Sequence, residues 1–180
     1  MRTVKNIKKI GHRELIRVSF FIFHFSFFIF LLISCLERNS YPIEPHIEFV
    51  SFEKIDNGSG IDDEGVLIIS FTDGDGDLGN IDEKDSTLNY FIIYQEKQQG
   101  VYITYEELIN SFSASLPHFV FSDKKQAIDG TIQRRLNIAK PPDPYSESDY
   151  DTIRFECWLL DRAKHESNHI FTPEIIVKKR

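Results

Sequence analysis

Three aspartates occupy alternate positions in "FTDGDGDLG", residues 71–79, with glycine between them. Carboxylates so spaced suit calcium, because the ion takes six to eight oxygens and a glycine-rich loop can wrap them around it. Asp73, Asp75 and Asp77 match the opening of an EF-hand loop, but its sixth position is Leu78 instead of glycine and its twelfth is Lys84 instead of glutamate. No flanking helices are predicted. The calcium reading is therefore a simpler acidic pocket, with Asp82 or Asp85 adding oxygens. Its affinity would sit in the weak ~10⁻⁴–10⁻³ M range of extracellular modules, and the ion would brace a loop without doing chemistry. Three close carboxylates without a cation repel one another. The competing reading is that Asp-Gly pairs simply make turns, since glycine accepts positive φ and aspartate bonds its own backbone.

A second pattern is "HESNH", His165 to His169, which matches H-E-x-x-H. Two histidines on one helical turn can hold zinc while the glutamate acts as general base on a metal-bound water. A zinc-dependent hydrolase using His165, Glu166 and His169 is thus the alternative function. The surroundings oppose it: "DRAKHESNH" has no apolar residues at helical spacing, Pro173 closes the segment, and no third ligand stands at a usual distance downstream. A polar hairpin loop is expected instead, with His169 opening the last strand. Cys157 is expected in the core, not as a nucleophile. Tyr94, Tyr102, Tyr105, Tyr145 and Tyr150 offer surfaces for stacking on a sugar or a partner, although tyrosine is also an ordinary strand residue. No catalytic set emerges, and the chain reads as not an enzyme.

The elements that must position these residues are strands. "HIEFVSFE" (46–53), "VLIISFT" (66–72), "NYFIIYQE" (89–96), "GVYITY" (100–105), "TIQRRLNI" (131–138), "TIRFECWLL" (152–160) and "HIFTPEIIVKK" (169–179) are rich in β-branched and aromatic residues and separated by polar turns. Alternation is clearest where Ile153, Phe155, Cys157 and Leu159 share one face, and where Leu67, Ile69 and Phe71 lead into Asp73. Residues 104–115 could form one or two helical turns, and "GSGIDDEG" (58–65) reads as a hairpin loop. Seven short strands without βαβ alternation predict an all-β, antiparallel, immunoglobulin-like β-sandwich, with Pro173 placing the last strand at an edge. In such a sandwich the loop after the second strand and the loop before the last lie at one end. That brings residues 73–88 toward Asp161, Glu166 and Asn168, and Asp161 joins the candidate calcium ligands. An extra crossing at "PHFVF" (117–121) would separate the two loops.

The N-terminus belongs to another class. Six Lys/Arg and one acid precede residue 18, and "VSFFIFHFSFFIFLLI" then runs from Val18 to Ile33 without a formal charge. A basic start followed by an apolar run shorter than a spanning helix describes a secretory signal. The run ends in Leu32-Ile33-Ser34-Cys35, which resembles the bacterial lipobox. That resemblance implies a diacylglyceryl group on Cys35, cleavage before it, and a bilayer anchor made of acyl chains. Of the 21 basic and 28 acidic residues in the chain, 15 and 27 lie from Cys35 onward, a net −12. So acidic a chain should not bind nucleic acid.

The lipobox, "ISFTDGDGDLG" and "DRAKHESN" together resemble the small lipoproteins of Bacteroidetes-type bacteria, a family with immunoglobulin-like or fibronectin-like sandwiches and no assigned activity. The expected organisation is a lipoprotein signal peptide over 1–34, an acylated cysteine and tether over 35–45, and a β-sandwich domain over 46–180. The expected role is a membrane-anchored, non-enzymatic binding or structural module, calcium-braced. It would sit in the cell envelope, at the outer membrane, and meet an envelope protein or glycan.

Overall fold

The computed structural model describes residues 17, 20, 41–105, 108–119, 126–139 and 149–179. Two compact units divide the chain, Met1–Arg38 and Asn39–Arg180. Cys35, the lipobox and Tyr145 lie outside the described residues. Among the described residues no helix is long and apolar enough to cross a membrane.

The second unit is an all-β sandwich. Its described strands are β1 (His46–Ile55), β2 (Glu64–Asp73), β3 (Tyr90–Gln98), β4 (Val101–Thr104), β5 (Ile128–Asn137), β6 (Tyr150–Leu159), β7 (Ile170–Phe171) and β8 (Ile175–Lys178). One antiparallel sheet runs β1-β2-β5, and the other runs β4-β3-β6-β7, with β8 also on β6. Strands therefore change sheet between β2 and β3, between β4 and β5, and between β5 and β6. This is the immunoglobulin-like arrangement in which the first, second and fifth strands oppose the third and sixth.

Period-two burial builds the core. In β2 every second residue is buried, from Gly65 through Leu67, Ile69 and Phe71 to Asp73; in β6 the buried series is Asp151, Ile153, Phe155, Cys157 and Leu159. Phe155 joins the layers, its ring 5.6 Å from Phe52 of the opposite sheet and 5.8 Å from both Tyr94 and Phe112. The short helix α1 (Ile109–Phe112) delivers Phe112 to this cluster. Among the described residues it is the α-helical part of the helical turns expected over 104–115, with Leu108 in a 3-10 turn before it; residues 106 and 107 lie outside the described set.

Two departures from simple alternation have physical causes. β1 carries a bulge at Val50, between the pairs Phe49↔Ile69 and Ser51↔Ile68. The extra residue shifts parity, so that Ile47 and Phe49 before it and Phe52 after it all oppose inward-facing residues of β2. The single strand expected over 169–179 is two strands. Pro173 has no N–H to donate, and the Thr172 hydroxyl accepts from Phe155 N at 3.0 Å where the ladder is interrupted. Pro117–Phe119, the described part of the possible extra crossing, is not a strand.

Candidate functional site

The acidic loop grows directly from the core pattern. Asp73 continues the inward series of β2, so its carboxylate points into the end of the sandwich and is fully buried. Its Oδ1 accepts from Asp75 N at 3.3 Å and its Oδ2 from Leu78 N at 2.9 Å, curling the loop around the side chain. Gly76 adopts φ +68°, and a Cβ there would meet the Gln126 carbonyl at 2.3 Å, so glycine is required between the last two aspartates. Leu78 is fully buried and pins the far side of the turn.

As a result Asp73, Asp75 and Asp77 each present a carboxylate oxygen within 4.8 Å of the others. Among the described residues this is where three potential ligands converge. Asp77 is 9% exposed, and its buried Oδ1 has no hydrogen-bond partner. Burial, then the charges of Asp161, Asp75 and Asp73, push its carboxyl up to about 6, against a smaller lowering by Arg162. Asp73 is also raised, chiefly by burial.

The two loops do meet at one end. Arg162 N donates to the Asp77 carbonyl at 3.2 Å, and its guanidinium reaches the carbonyls of Leu78 and Asn80 at 3.4 Å. Asp161 neighbours Asp77 but does not join the triad. Its oxygens accept from His165 N at 2.7 Å and pair with His165 Nδ1 at 2.8 Å, closing the β6–β7 turn. The other predicted oxygen donors are committed elsewhere. Asp82 accepts from the Lys84 and Asp85 amides, and Asp85 from Thr87. Glu166 pairs with His169, and Asn168 bonds the backbone of Ile47.

The ends of the loop are tied by two asparagines that no sequence motif singled out. Asn80 and Asn89 are buried and bonded to each other at 2.6 Å; Asn89 Oδ1 takes Leu116 N, and Asn80 Nδ2 donates to Ser115 and to the Asp85 carbonyl. An asparagine beside each end of a polar loop was the available signal. A pocket of about 150 Å³ lies between this network and the β6–β7 turn, lined by Asn80, Asp85, Asp161, Arg162 and Lys164 among others. That is well below the ~300–1,000 Å³ usual for small-molecule sites.

The H-E-x-x-H segment is a hairpin, as its polarity suggested. Glu166 bridges Leu160, and Ser167 N donates to Leu159 O at 3.0 Å, so His165 and His169 do not share a helical turn. His169 lies between Glu156 on Nδ1 at 2.8 Å and Glu166 on Nε2 at 3.0 Å, so both ring nitrogens are engaged. Tyr94 is a core residue, fully buried, not a surface platform. Cys157 is equally buried, and burial pushes its thiol up to about 12.

Across the outer face of the larger sheet the rings stack on one another. Phe91 and Trp158 lie 5.0 Å apart, Trp158 and His169 4.5 Å, and the Arg154 guanidinium sits between Tyr102 and Phe171 at 3.7 and 4.5 Å.

No family model matches the chain, and no curated protein matches it. Among solved structures it is similar to the "X-ray structure of Northeast Structural Genomics Consortium target SoR45", at 10% identity over 74% of this chain and 85% of that one, with a TM-score of 0.27. A likeness that weak carries no argument about fold or activity.

Proposed function

We propose that the chain is a lipid-anchored, non-enzymatic binding or structural module of the cell envelope, held at the outer membrane by an acylated Cys35. The anchor half rests on Leu32-Ile33-Ser34-Cys35 at the end of an uncharged apolar run behind a basic start. The non-enzymatic half is supported by one observation above others: the side chains best suited to chemistry already have partners. His165 serves Asp161, His169 joins two glutamates, and Cys157 is core. A protein partner fits the outer sheet face better than a glycan. Trp158, the central ring, gives one face to Phe91 and the other to His169, whereas a sugar stacks on a free ring face.

Mass spectrometry of the protein recovered from cells tests the anchor. A diacylglyceryl-modified Cys35 at the mature N-terminus is expected, and Cys35→Ala should leave the signal attached. An intact Met1 in the wild-type protein would sink the reading. Zinc add-back after EDTA should confer no peptidase activity; activity abolished by Glu166→Gln would favour the zinc hydrolase instead.

A further inference from the structure

We propose that Asp73, Asp75 and Asp77 bind one calcium ion, and that the ion clamps the β2–β3 connection onto the β6–β7 turn at one end of the sandwich. The inference stands apart from the lipid anchor and holds or fails without it.

The first support is geometry. The three carboxylate oxygens lie within 4.8 Å of one another. Two oxygens bound to one calcium at about 2.4 Å can be no farther apart than about twice that length, so the span fits a single ion of this size. Magnesium, at about 2.05 Å, would need the oxygens drawn closer and a regular octahedron.

The second support is independent of clustering. Asp77 is nine-tenths buried, its Oδ1 receives no hydrogen bond, and it belongs to the group of converging oxygens. A buried carboxylate oxygen without a donor is costly, and a hard cation is what such an atom accepts. The cation nearest at hand does not meet the need. Arg162 points its guanidinium at the carbonyls of Gly76, Leu78 and Asn80, on the backbone side of the loop.

That same Arg162 makes the site a clamp. Its N–H holds the Asp77 carbonyl at 3.2 Å, so an ion fixing the Asp77 side chain also fixes the main chain that carries the β6–β7 turn. Arg162 sits beside Asp161, whose carboxylate closes that turn through His165. Ion binding is thereby transmitted from one sheet's connection to the other's without any chemistry at the metal.

The test uses the full-length protein in calcium chloride, magnesium chloride or EDTA, with titration calorimetry, thermal melting and hydrogen exchange. The expected result is one calcium per chain, a higher melting temperature in calcium than in EDTA or magnesium, and slowed exchange at both 74–80 and 160–166. Asp77→Asn and Asp75→Asn should each weaken calcium binding at least tenfold, while Glu83→Gln on the exposed part of the loop should match wild type. In EDTA, Asp77→Asn should melt no lower than wild type, since it relieves repulsion. Equal wild-type melting in calcium and EDTA would overturn the site, as would an equal response to magnesium. Slowing confined to 74–80 would overturn the clamp. If Asp77→Asn does not fold, the wild-type comparison and Asp75→Asn decide.

Discussion

Asn168 pairs with the backbone of Ile47 as a strand would. Its Oδ1 accepts from Ile47 N at 2.8 Å and its Nδ2 donates to Ile47 O at 2.9 Å. Ile47 lies on the open edge of β1, so one side chain from the β6–β7 connection ties the smaller sheet to the larger and covers part of an edge that would otherwise invite pairing. Asn168→Ala removes both bonds and leaves two backbone groups to find water. A loss of about 1–3 kcal/mol is expected in urea unfolding. Asn168→Asp keeps the acceptor but sets a charge against the Ile47 carbonyl, and it should not restore stability.

Phe155 is the ring that both sheets and α1 share, with Phe52, Tyr94 and Phe112 around it. Phe155→Ala should cost about 3–5 kcal/mol, a large share of a typical domain's total. Phe155→Leu, nearer in volume, should cost clearly less. Denaturant midpoints at constant slope would check both, and equal costs would mean that the cavity collapses.

His169 gives stability a pH dependence whose sign follows from its partners. The hydrogen bond to Glu156 holds its imidazole above the usual histidine range, against an opposing effect of burial, with Glu166 adding to the rise. The charged form is therefore favoured by folding. Its contribution is fully present below the unfolded value of about 6.5 and is lost as pH rises through the higher folded value. His165, raised by Asp161, acts in the same direction. The difference between wild type and His169→Gln should shrink as pH climbs above about 6.5. A difference that grows with pH would refute the assignment.

Cys157 should resist alkylation. With the side chain fully buried and the thiol pushed up to about 12, iodoacetamide at pH 8 should leave it unmodified in the native protein and label it on unfolding. Rapid native labelling would mean that β6 opens locally.

Much of the fold was legible because alternation is a local signal. The inward series of β2 and β6 stand in the sequence at period two, and a strand with one face in a core must show that period. Asp73 ends such a series, so its inward direction was implied as well. Cys157 followed for the same reason. The H-E-x-x-H motif could be set aside from the absence of helical periodicity around it.

What only the tertiary structure decided depends on partners far away in the chain. The Val50 bulge turns Phe52 inward to Phe155, a contact across 103 positions that no window around residue 50 contains. Asn168 and Asp161 were equally plausible oxygen donors beside the aspartates. Folding gave Asn168 to Ile47, 121 positions away, a pairing no local window contains, while Asp161 closed its own turn on His165 four residues on. The break at Pro173 was foreshadowed by its missing N–H, yet the hydroxyl of Thr172 that covers the gap is known only from where Phe155 arrives. Composition and spacing name the residues that face inward; which polar groups meet there is a long-range matter, set by the pairing of strands.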